Sequence, residues 1–214
     1  MPKRYSLSEF ESKELLQSYG IKITKDAIVN SADEAIEQSE IIGYPVVLKI
    51  SGAEFSHKTE LNGVKLNLGN ETSVRDAVAD LYKSVNGQTS LLISEQVKSS
   101  REFIAGVTRN DEYGLVLAFG AGGIFTEIIK DVVFRLLPAS REEIRSMFDE
   151  LLHKEIFGEV RGEPEVNLEK LAKTLAALGE CAMDREDILS IDVNPLLIKD
   201  GVPVAVDALV ELYE

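Results

Sequence analysis

Apolar residues recur at helical spacing from Leu7 through Phe10, Leu15 and Leu16 to Tyr19, with Ser8 placed to cap the start and Gly20 to stop the turn. The spacing predicts a helix that opens a helix-turn-strand unit. IKITKDAIV then reads as a short strand, and Ser31 followed three residues later by Glu34 carries the signature of a capped helix running through Ile42. GYPVVLKI is continuous enough in apolar residues for a buried strand, and VKLNL alternates as a half-exposed strand does. From Glu71 to Val85 the residues Val74, Ala77, Val78 and Leu81 fall on one helical face, and LLISEQV follows as a central strand. The first hundred residues thus alternate helix and strand.

Beyond residue 100 the texture changes. REFIAGVTRN, GLVLAFG, IFTEII and VVFRLLP read as strands joined by short turns, an antiparallel meander. Helices are expected over Arg141 to His153 and Leu168 to Met183, separated by the Gly/Pro-containing FGEVRGEPEVN. ILSIDVNPLLI, a DG turn and VPVAVDALVEL close the chain as a hairpin. The order predicts an α+β protein of two lobes meeting near Val97, residues 1–97 and 98–214.

Composition narrows the chemistry. The chain has 214 residues, 44% hydrophobic and 28% charged, which is the balance of a globular protein and not of a disordered one. Its 37 Asp+Glu against 23 Lys+Arg give a formal charge of −14, which repels phosphate backbones and anionic lipid, so neither nucleic acid nor membrane is an expected partner. A phosphate ligand would have to be held by a few local cations, glycine amides and a metal ion. The single cysteine, Cys181, cannot make an internal disulfide, and the charged amino-terminal stretch lacks the apolar segment of a signal peptide. A reducing, cytoplasmic setting is the expectation.

Three groups of residues could carry chemistry. Lys49 ends an apolar strand, where a buried ammonium is costly unless a ligand or a carboxylate pairs with it; a lysine there either reaches nucleotide phosphates or snorkels to solvent. Gly120, Gly122 and Gly123 lie between two apolar strands and precede Glu127, Lys130 and Arg135, so their amides could approach an anion, or simply turn a hairpin. No G-K-[ST] follows them, which excludes a Walker A loop. Asp192 and Asn194 are two apart and share a strand face, and the expected hairpin returns Asp207 beside them; oxygen ligands of this kind suit Mg²⁺, which shares its coordination with phosphates. Of the two histidines, His57 occupies a polar loop where a reactive imidazole would be accessible, and His153 is expected at a helix end as a dipole-complementing cation.

Taken in order, GYPVVLKI, SHKTELNGVKLNL, ISEQVKSSREFIAGVTRN, FGAGGIFTEIIKDVVFRLLP, GEVRGEP and SIDVNPLLI…VAVDA resemble the ATP-grasp β subunit of ADP-forming acyl-CoA (acetyl-CoA) synthetases, relatives of succinyl-CoA synthetase, over nearly the whole chain. The resemblance implies an ATP-grasp fold, two α+β lobes with ATP or ADP and Mg²⁺ between them. It makes Lys49 the phosphate-contacting lysine, Glu95, Gln96 and Val97 the hinge that reads the adenine edge, and Glu102 the acid on the ribose. It pairs Asn194 with Asp207 as metal ligands, Asp192 close by, and brings Arg135 and the Gly122-Gly123 turn toward the phosphoryl group. It makes His57 a transient phosphate carrier, taking a phosphoryl group from a phosphohistidine on an α subunit and passing it to ADP, as a neutral imidazole nitrogen can near pH 7. It also implies dependence on that α subunit, in an α₂β₂ assembly, because the chain holds no CoA-binding domain of its own. Four positions depart from the pattern: Glu60, Asn62, Ser100, and Ser190 where an acid commonly begins E-x-D-x-N-P. Two other readings fit many of the same residues: an ATP-grasp ligase forming an acyl phosphate directly, with no use for His57, and a non-catalytic nucleotide-sensing subunit.

Overall fold

The computed structural model describes residues 3–52, 63–123 and 131–213. In chain order the elements are β1 (Arg4–Ser6), α1 (Glu9–Ser18), β2 (Asp26–Val29), α2 (Ala32–Ile42), β3 (Val46–Ile50), β4 (Val64–Leu68), α3 (Glu71–Ser84), β5 (Leu91–Glu95), β6 (Glu102–Asn110), β7 (Gly114–Ala121), β8 (Val132–Leu136), α4 (Arg141–Glu150), α5 (Leu168–Asp184), β9 (Ile188–Lys199), β10 (Val202–Ala205) and β11 (Ala208–Tyr213). They form two compact units. One comprises Ser8–Phe10 and Thr24–Gln96; the other comprises Met1–Leu7, Glu11–Ile23 and Val97–Glu214. Val97 falls in the later unit, as does most of α1.

The smaller unit is a four-stranded sheet in the order β2-β5-β3-β4, every pair antiparallel, with α2 and α3 on one face. Ser31 caps α2 by accepting the Glu34 N–H, and Asn70 with Ser73 closes a reciprocal capping box on α3. Val74, Ala77, Val78 and Leu81 of α3 are buried against Val46, Leu48, Ile50, Leu91 and Ile93. Those strand residues alternate with Val47, Lys49, Leu92 and Ser94, which therefore occupy the face away from the two helices.

The larger unit holds a seven-stranded sheet in the order β1-β11-β9-β6-β7-β8, with β10 also paired to β9. One face is packed by α4 and α5: Phe103, Val107, Leu117, Phe119 and Ile191 join Phe148, Leu171, Leu175 and Leu178 in its core. Among the described residues no helix is long and apolar enough to cross a membrane.

Several expectations are corrected here. α1 buries Leu16 of the apolar row, with Leu15 packed against the same core, and it also buries Glu9, Ser12 and Lys13, which the apolar spacing does not mark. Those polar groups are satisfied: Ser12 Oγ accepts the Val210 N–H (3.1 Å), and Lys13 Nζ donates to the Val206 carbonyl (3.0 Å). β2 begins only at Asp26, while Ile23 makes a lone parallel bridge to Ala205. β1, pairing with β11, has no pattern in three residues for the sequence to reveal. α4 ends at Glu150, because Leu151 turns extended and the buried carboxylate of Asp131 takes up the N–H groups of Leu152 and His153. His153 therefore sits past the helix and does not complement its last turn. IFTEII falls at residues 124–129, outside the described residues.

Candidate functional site

The return arm of the final hairpin is two strands laid end to end along β9. β10 pairs Val202 to Ala205 with Lys199 to Leu196, and β11 resumes at Ala208 opposite Val193. Val206 and Asp207 form the break between them. It is fixed on both sides: the Val206 N–H donates to the Pro195 carbonyl (3.1 Å) and the Asn194 N–H to the Asp207 carbonyl (3.2 Å). Asp207 and Asn194 are thus direct neighbours across the ladder, and Asp192 stands two residues along β9.

Strand parity then decides which face these residues share. Ile191 lies in register with Val107, Leu117 and Arg135, on the helix-packed face. Asp192 lies in register with Gly106, Ala118 and Phe134, on the opposite, open face. Ser190, Asp192 and Asn194 belong to that open face, as does Glu211, directly opposite Ser190. Gly106 is required in this row, since a Cβ there would fall 2.6 Å from the Ile191 carbonyl oxygen. Glu102, alternating with the buried Phe103, opens on the same side.

Glu102 is met by the glycine turn. The Gly122 N–H donates to the Glu102 carbonyl (2.7 Å), and a Cβ at Gly122 would lie 2.9 Å from the Glu102 carbonyl carbon and Cγ. At Gly123, where φ is +77°, a Cβ would lie 3.0 Å from Glu102 Oε2. The structure therefore joins Glu102, Gly122 and Gly123 into one feature. Arg135 does not belong to it. Its guanidinium, on the helix-packed face, donates to Ser146 Oγ (2.8 Å) and to the Glu150 carboxylate of α4, correcting the expectation that it approaches a phosphoryl group.

In the smaller unit Lys49 is on the face away from α2 and α3, and its Nζ meets Glu9 Oε1 at 2.7 Å with both side chains buried. The Glu95 N–H donates to the Lys25 carbonyl, and the Gln96 N–H to that of Pro45. Gln96 and Asn67 exchange side-chain bonds: the Asn67 N–H donates to Gln96 Oε1 (2.7 Å), and Gln96 Nε2 to Asn67 Oδ1 (2.8 Å). Val97 opens the larger unit. His57 lies outside the described residues, as do Glu60, Asn62, Glu127 and Lys130.

A protein-family model described as an ATP-grasp domain matches residues 2–212, and the β subunit of acetate–CoA ligase [ADP-forming] I from Pyrococcus furiosus is 36% identical over 208 residues, covering 94% of this chain and 90% of that one. This chain belongs to the ATP-grasp β subunits of ADP-forming acyl-CoA synthetases. Solved structures agree with the ATP-grasp assignment. The acetyl-coenzyme A synthetase 1 of Ca. Korarchaeum cryptofilum, in complex with coenzyme A, Ca-AMPCP and HgCl+, superposes with a TM-score of 0.91 at 33% identity, covering 97% of this chain and 93% of that chain. Its Mg-AMPPCP complex, whose phosphohistidine segment points towards the nucleotide-binding site, gives 0.85 at 34% identity with the same coverage.

The open face of this ATP-grasp chain fits a magnesium ion brought with a nucleotide. Although Asp192 reaches the surface, desolvation by the flanking strands, and then the carboxylates of Asp207 and Glu211, raise its pKa above the usual value; a divalent cation would relieve that crowding. Among the described residues no three His, Cys, Asp or Glu side chains gather closely enough to hold a metal by themselves. Two aspartates and the Asn194 amide make the partial oxygen set that Mg²⁺ uses when phosphates complete its shell.

Sequence reasoning missed several supporting residues. Arg101, 1% exposed, donates to the carbonyls of Gly158 (3.0 Å) and Pro164 (2.5 Å) and pairs with Glu163, while the Ser100 N–H donates to Glu163 Oε1 (2.6 Å). GEVRGEP is thus a clamp on the segment that leads into Glu102. Its turn, with φ of +50° at Arg161 and +81° at Gly162, has the geometry of a tight hairpin. Ser190 Oγ donates to Glu211 Oε2 (2.7 Å), so a carboxylate stands across the ladder from the position where the family pattern has its acid. An arginine bracketed by Ser99, Ser100 and a distant Glu-Pro offers no periodicity by which the clamp could have been found.

Proposed function

We propose that this chain is the nucleotide-binding subunit of an ADP-forming acyl-CoA synthetase, catalysing with an α subunit the reaction of acyl-CoA, ADP and phosphate to a carboxylic acid, CoA and ATP. The observation that carries the reading is the open face of the larger unit, on which Glu102 beneath the glycine turn and the Asp192, Asn194 and Asp207 group offer a ribose acceptor and metal ligands from one sheet. The −14 chain charge is compatible with one nucleotide because the anion would be met locally, by Lys49, glycine amides and a metal.

In this reading Lys49 contacts phosphate, and the Glu95–Val97 segment reads the base. Bound Mg²⁺, held by Asn194 and Asp207 with Asp192 near, would offset charge on the phosphate oxygens. An imidazole nitrogen of His57 attacks the phosphorus of a phosphohistidine on the α subunit, breaking that P–N bond and forming its own; a terminal ADP oxygen then attacks the same phosphorus and frees the imidazole. Arg135 has no part, being tied to α4. The partner is supported by the "subunit beta" of the Pyrococcus protein and the phosphohistidine segment of the Korarchaeum enzyme, and an α₂β₂ assembly is the expected form. A cytoplasmic location is in keeping with the lone buried Cys181.

The test is reconstitution of the α–β complex with acetyl-CoA, ADP, Mg²⁺ and phosphate. His57→Asn abolishes ATP formation and the acid-labile phosphate on this chain, while Asp207→Asn raises the Mg²⁺ requirement. Full activity of His57→Asn would overturn the relay in favour of direct acyl-phosphate chemistry.

A further inference from the structure

Glu9 is an unexpected residue to find buried. It stands in the first turn of α1, its side chain is 3% exposed, and its Oε1 lies 2.7 Å from Nζ of Lys49, itself 7% exposed. Neither residue belongs to an apolar cluster by chemistry, and each would be expensive to bury alone. Together they neutralise one another on the sheet face turned away from α2 and α3, the face that also carries the buried Ser94 hydroxyl, which has no hydrogen-bond partner among the described residues.

The pair has a consequence for a phosphate approaching Lys49. An ammonium offers three protons, so it can in principle serve a carboxylate and a phosphate at once. The two acceptors would then lie within a few ångström of each other in a weakly screened environment, where like charges repel strongly. Binding energy gained from Lys49 is therefore reduced by whatever is lost in loosening Glu9. The reverse also holds, since a nucleotide that takes over the ammonium replaces the stabilisation that Glu9 gives the empty protein.

We infer that Glu9 is a positioning residue that acts as a resident counterion for Lys49, occupying the ammonium in place of a nucleotide phosphate and yielding to it on binding. This rests on Lys49 being a phosphate contact. Glu9 thereby sets nucleotide affinity in opposition to the stability of the nucleotide-free chain, keeping ADP and ATP exchangeable at a site built around a buried cation.

The test uses the full chain with Mg·ADP, titrated calorimetrically and melted with and without nucleotide, in wild type, Lys49→Met, Glu9→Gln and the double variant. Lys49→Met weakens ADP by at least about tenfold. Glu9→Gln lowers the melting temperature of the nucleotide-free chain, yet tightens ADP by about tenfold and enlarges the ADP-induced shift in melting temperature. The double variant binds as Lys49→Met does, because the carboxylate no longer competes for anything. Should Glu9→Gln not fold, Glu9→Asp, with its carboxylate drawn back by one methylene, must show the same pairing of lower stability and tighter ADP. If Lys49→Met weakens ADP while the Glu9 variants bind it equally or less tightly, Glu9 is not a displaceable counterion. If Lys49→Met binds ADP normally, the phosphate role of Lys49 fails, and the inference with it.

Discussion

The Gly122 N–H donates to the Glu102 carbonyl at 2.7 Å, so the glycine turn rests directly on the residue that opens β6. No side chain can be inserted between them. A Cβ at Gly122 would meet backbone and Cγ atoms of Glu102 at 2.9 to 3.0 Å, contacts that rotation of a flexible tip cannot relieve.

Gly122→Ala is therefore expected to push the turn off Glu102, costing about 1–3 kcal/mol of stability as small-to-large changes at tight contacts do. Because the same shift moves the Glu102 carboxylate, nucleotide affinity falls with it. Chemical denaturation and ADP titration of the variant check both; unchanged affinity would separate Glu102 from the ribose.

Arg135 and Glu150 give a pH-dependent contribution. The hydrogen bond from Arg135 holds the Glu150 carboxyl below the usual glutamate pKa, and a lowered folded-state value means stability that is present above the unfolded pKa and lost as pH falls through the folded one. Glu150→Gln should lower the melting temperature near pH 7 by no more than a few degrees, the pair being exposed, and the difference from wild type should begin to shrink as the pH falls below about 4.3 and vanish only below the lowered folded-state value. Melts across pH 3 to 7 report this, and ADP affinity at pH 7 stays at the wild-type value because the pair lies on the helix-packed side of the sheet, opposite the face of Asp192.

Cys181 is fully buried in α5, and desolvation by burial, ahead of all charge effects, pushes its thiol up to about 11. Since the thiolate is the reactive form, Cys181 should resist disulfide-exchange reagents at pH 8 in the folded chain and react at the rate of a free thiol once denatured. Rapid labelling of the native chain would contradict the packing of α5.

Most of the sheet and helix content was legible because it rests on local rules. Ser31 sits where a cap must, and the Val74, Ala77, Val78 and Leu81 spacing commits α3 to one buried face whatever lies beneath it. The closing hairpin expected from the sequence likewise brings Asp207 beside Asn194 across the ladder. What failed was whatever depends on a distant partner. α1 forms where its apolar spacing puts it, but Glu9, Ser12 and Lys13 are buried because Lys49, the Val210 amide and the Val206 carbonyl meet them, and no local period encodes that. Arg135 was expected at the phosphoryl group from the family pattern, and it is the register of β8 on β7 that puts it on the helix side.

By itself, then, the sequence determined an acidic α+β chain with its helix ends, its strand alternation and an ordered set of motifs, since capping, periodicity and turn chemistry act within a few residues. Only the tertiary structure decided which face each strand residue takes. Register across β9, β6, β7 and β8 sends Asp192 to the open side and Arg135 to the helix side, and a shift of one residue would have exchanged them.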